Sequence, residues 1–70
     1  MQNITYTLKD KDQLFDMPND ELRGALGVIR AEKRSLELTA ARYGINTAPH
    51  VITTIEELKE LEEWVAGLLH

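Results

Sequence analysis

Seventy residues with 12 acidic against 8 basic side chains, a net charge of −4 and no cysteine exclude much before any motif is read. A chain this short forms one domain with a thin core, burying roughly 60% of its unfolded surface, so packed helices or self-association must supply what no disulfide or thiolate metal site can. The acidic balance argues against general nucleic-acid binding, which needs clustered Lys and Arg, and without a run of about 18 apolar residues no membrane-spanning helix is expected.

The opening MQNITYTLKDKD has neither the basic start nor the apolar run of a secretory signal; the absence of cysteine fits a cytoplasmic location, which is the expectation. Within it, residues 3–8 alternate. Ile4, Tyr6 and Leu8 face one way and Asn3, Thr5 and Thr7 the other, the period of a β-strand or an extended arm. A lone strand is unstable in water, so it needs a pairing partner. Lys9 to Asp12 reads as a polar turn. Leu14, Phe15 and Met17 form an apolar cluster, placed to fold over the first turn of the helix that follows.

Pro18-Asn19-Asp20-Glu21 is a helix start, with Asn19 as the expected N-cap and two acids where the helix dipole favours them. The first helix spans residues 18–43. Leu22, Leu26, Ile29, Leu36, Ala40 and Tyr43 follow the four-and-three spacing of a bundle seam. Lys33 takes the one polar seam position, where it either snorkels or meets an acid of the second helix. Gly24 and Gly27 lie inside this helix at a cost of up to about 1 kcal/mol each relative to alanine. They are either tolerated or mark a close backbone approach.

A loop over residues 44–53 then breaks the chain. Gly44 ends the helix after Tyr43, Asn46 and Thr47 favour turns, and Pro49, followed by His50, blocks continuation. Tyr43 is expected to pack over this loop with its hydroxyl bonded to the backbone of Pro49 or His50. Thr53 with Glu56, and Thr54 with Glu57, match the capping box, so a second helix is expected over residues 54–69. Its apolar face is Ile55, Leu58, Leu61, Val65 and Leu68, with Trp64 beside it.

So short a loop makes the two helices antiparallel neighbours. The expected fold is mainly α: a two-helix hairpin with the N-terminal strand or arm, completed as a four-helix bundle by dimerisation. The interface then falls on Leu22, Leu26, Ile29, Leu36, Ile55, Leu58, Leu61, Trp64, Val65 and Leu68. Residues 20–43 carry five cations against four acids, whereas residues 54–70 carry five acids against Lys59. Helices of unequal charge lie side by side at low cost, within one chain or between chains. Glu56, Glu60 and Glu63 form an acidic face, either simply solvated or docking a basic partner.

Residues 33–68 also resemble a helical hairpin of bacterial multidomain signalling and conflict proteins, which sits beside caspase-like, TIR and STAND-type ATPase modules. The likeness rests on Leu36, Ala40, Ala41, Tyr43, Gly44, Ile45, Thr47, Pro49, His50, Val51, Ile55, Glu56, Leu58 and Leu61. Ala48 stands where that pattern usually has a first proline, and Thr53-Thr54 where an acid is common. The resemblance implies association or docking rather than catalysis.

Sites of chemistry are not suggested. The glycines at 24, 27, 44 and 67 build no phosphate loop. His50 and His70 are too far apart in the chain to suggest a metal site, and Ser35, in mid-helix, has no base near it in sequence. The expected function is therefore a non-enzymatic interaction and oligomerisation domain without cofactor. The alternatives are a DNA-binding regulator of the strand–helix–helix kind or an acidic inhibitor that mimics nucleic acid.

Overall fold

A computed structural model describes residues 6–69. The chain order is a 3-10 turn at Leu8–Asp10, α1 at Lys11–Phe15, α2 at Asn19–Tyr43, a second 3-10 turn at Gly44–Asn46, and α3 at Pro49–Leu68. The two long helices pack antiparallel as the expected hairpin, and α1 lies mainly against α3.

The N-terminal third departs from its expectation. Residues 3–5 of the proposed strand lie outside the described residues. Among the described residues there is no strand, and Leu8 belongs to a helical turn. The cause is a local capping box. The Asp10 carboxylate accepts from the Thr7 amide at 2.8 Å, and the Thr7 hydroxyl accepts from the Lys9 amide at 3.2 Å. This pair starts a turn that runs directly into α1, where only a polar turn was expected. Leu14 then drops into the core, fully buried, while Phe15 stays exposed. The apolar cluster thus covers the hairpin as a third helix rather than as a loop folded back on α2.

Two helix starts also differ. Pro18, not Asn19, is the N-cap of α2; its carbonyl accepts the first helical bond from Leu22 at 2.9 Å, and Asn19 is the first helical residue. For α3, the loop ends five residues early. Pro49 takes the first helical position, where its missing N–H would have lacked a partner anyway. Thr53 and Thr54 therefore lie inside the helix, and the Thr54 hydroxyl donates to the His50 carbonyl at 2.7 Å instead of capping.

The core consists of Leu14, Leu22, Ala25, Leu26, Ile29, Leu58, Leu61 and Val65. All eight sit in the half of the hairpin that α1 covers. Residues 30–57 contain no fully buried side chain. Among the described residues the N-terminal turn faces this half at Glu32, Thr54 and Glu57, and nearer the loop the seam residues Leu36, Ala40, Val51 and Ile55 are half-exposed.

Candidate interaction surface

The turn is held by a small set of bonds. Gly44 adopts φ 59° and its amide donates to the Ala40 carbonyl, an arrangement that an L side chain disfavours. The Thr47 hydroxyl reaches the Gly44 carbonyl at 2.6 Å and the Ala40 carbonyl at 3.1 Å, tying the loop back to the last turn of α2. Between these anchors Ile45 is fully exposed. Tyr43, Ile52 and Leu38 are exposed large apolar residues of the same half. The expected cover of the loop by Tyr43 is thus corrected: the ring faces solvent, and Thr47 closes the turn in its place. Pro49 and His50 are exposed at the start of α3.

Of the residues expected at an interface, Leu22, Leu26, Ile29, Leu58, Leu61 and Val65 are buried inside the chain itself. A second copy reaches them only if the hairpin opens. Leu36, Ile55, Trp64 and Leu68 remain half-buried. Trp64 packs against the core, and the Lys11 ammonium lies 5.4 Å from its ring centroid, a cation–π contact.

Electrostatics fix the middle of the hairpin. Lys33 donates to Glu62 at 2.8 Å and Arg30 to the same carboxylate at 3.3 Å. The Lys33 hydrogen bond holds the Glu62 carboxyl below the usual carboxylate range, and the same bond raises the Lys33 ammonium above its ordinary value. Sequence spacing marked Lys33 as the polar seam residue but did not single out Glu62. Glu62 falls within an acidic run whose other members, Glu56, Glu57, Glu60 and Glu63, are all exposed.

One cleft of about 60 Å³ lies between the N-terminal turn and the hairpin, lined by Tyr6, Thr7, Leu8, Glu32, Thr54, Glu57, Leu58 and Leu61. Glu32 Oε2 is buried there without a hydrogen-bond partner among the described residues. That volume holds only a water or two. Gly24 and Gly27 face open space among the described residues, none of which requires their lack of a Cβ. No group of three or more His, Asp or Glu converges among the described residues, and none of their helices is long and apolar enough to cross a membrane. Comparison with known families, curated proteins and solved structures finds no match.

Proposed function

We propose that the chain is a non-enzymatic association domain, a homodimer in which the turn halves of two hairpins pack together as a four-helix bundle. One observation carries this reading: the eight fully buried side chains all lie outside residues 30–57, and the seam residues nearest the turn stay half-exposed among the described residues. Leu36, Ala40, Val51 and Ile55 present a half-wet apolar strip there, extended by exposed Tyr43 and Ile45. A twofold contact places the same strip of each copy against the other, and covering it returns apolar area to a dry environment at about 25 cal/mol per Å². An adaptor role beside effector or sensor modules of a bacterial signalling or defence system fits such a domain.

The DNA-reading alternative gains nothing, since the described residues hold no strand to read a groove and the exposed face of α3 is acidic. Light scattering across a concentration series tests the proposal. The expected mass is twice the 8.0 kDa of the chain, falling to the monomer in Ile55→Asp with helicity retained. A wild type that stays monomeric at all concentrations overturns it.

A further inference from the structure

Beyond that dimer, and independently of it, the outer faces of α2 and α3 carry matching patterns of opposite charge. Descending an exposed face of α2, Leu38, Arg34, Arg30, Gly27 and Arg23 recur at steps of four, four, three and four. Ascending α3 on the side away from α2, Ile52, Glu56, Glu60, Glu63 and Gly67 recur at the same steps in the same order. Such steps keep five residues on one helical face over about 22 Å. All ten are exposed.

Laid antiparallel in one register, Leu38 meets Ile52, Arg34 meets Glu56 and Arg30 meets Glu60. Each glycine meets a long charged side chain, Gly27 under Glu63 and Gly67 under Arg23. Among the described residues neither glycine has a neighbour that its Cβ would touch. Asp20 at the end of the basic stripe, exposed Glu37 on its flank and Lys59 on the flank of the acidic stripe are opposing charges nearby. Arg30 also contacts Glu62 of its own chain, with its side chain 60% exposed.

We infer that the occupant of each face is a second copy of this chain, with α2 of one hairpin lying antiparallel against α3 of the next. The two stripes are different patches of one chain, so the contact is heterologous and each added copy leaves one stripe open for the next. It builds rows of hairpins whose growth depends on concentration. The attraction is ionic at its centre, with the Leu38–Ile52 contact at one end.

Sedimentation velocity of the full chain tests this, in about 10 mM salt, where the Debye length is about 30 Å, and in 1 M, where it is about 3 Å. At low salt the sedimentation coefficient rises with concentration beyond that of a dimer, and at high salt this rise is lost. Arg30→Glu/Arg34→Glu makes both faces acidic, and Glu56→Arg/Glu60→Arg makes both basic. Each weakens assembly by about tenfold or more, and an equimolar mixture of the two regains it. Arg34→Glu with Glu56→Arg repeats the exchange without touching the Glu62 pairing, and circular dichroism verifies the fold throughout. Assembly that ignores salt and charge reversal, or a mixture of folded variants that fails to recover, overturns the inference. A dimer that persists in 1 M salt and in every variant belongs to the apolar turn half and leaves only the charged contact refuted.

Discussion

Lys33 and Glu62, 29 residues apart in sequence, meet at 2.8 Å on facing helices. Lys33 follows buried Ile29 by one turn of α2, and Glu62 lies among buried Leu58, Leu61 and Val65 on α3. A pair with side chains only 20% and 18% exposed ties α2 to α3 beside the core.

Replacing Glu62 by Gln leaves Lys33 and Arg30 facing each other with no anion between them. The expected loss is about 1 kcal/mol, or roughly 4–8 °C in Tm for a domain of this size. The pH dependence follows from the direction of the shifts. Glu62 has a lowered folded pKa, so its contribution is present above about pH 4.3, the unfolded value, and is lost as pH falls through the folded one. Lys33 has a raised folded pKa, so its contribution is present below about pH 10.4 and is lost as pH rises through the folded value. Thermal melts of wild type and Glu62→Gln should therefore differ near neutral pH and converge in acid.

Glycines in this chain divide by backbone geometry rather than by contact. Gly44 holds φ 59°, so Gly44→Ala is expected to cost about 1–2 kcal/mol. Gly24 lies in regular helix, with open space where a Cβ would project, so Gly24→Ala is expected to stabilise by up to about 1 kcal/mol. Urea unfolding of the two variants should shift the midpoint in opposite directions.

The hold of α1 on the hairpin rests on Leu14, the one fully buried residue of that helix. Leu14→Ala is expected to cost about 2–5 kcal/mol, whereas Phe15→Ser, one residue on and exposed, should stay within about 0.5 kcal/mol. Denaturant midpoints of the pair measure the difference. Leu61, buried completely between the long helices, behaves like Leu14: Leu61→Asp unfolds the chain rather than testing an interface.

The hairpin itself was legible because its signals are local and repeated. Leu22, Leu26 and Ile29 set one stripe, Leu58, Leu61 and Val65 the other, and Gly44 with Pro49 marks the corner between them. What misled was chemistry with two local outcomes. Thr7 alternates with apolar neighbours like a strand residue, yet with Asp10 three positions on it closes a cap and becomes a helix start. Thr53 and Thr54 spell a capping box, but Pro49 had already begun the helix upstream. The surface was less legible than the core. Seam periodicity says which residues face inward, but it does not say how completely each is covered: Leu26 is buried and Leu36, on the same seam, is half-exposed.

The central claim, that the uncovered turn half is where one copy meets another, is tested most directly by amide chemical shifts recorded during dilution. The series is run in about 1 M salt, which screens the charged outer faces. The amides of residues 36–55 should move together with concentration while those around Leu14, Leu22 and Ile29 stay fixed. Shifts that do not depend on concentration, or that cluster at α1 instead, would contradict it.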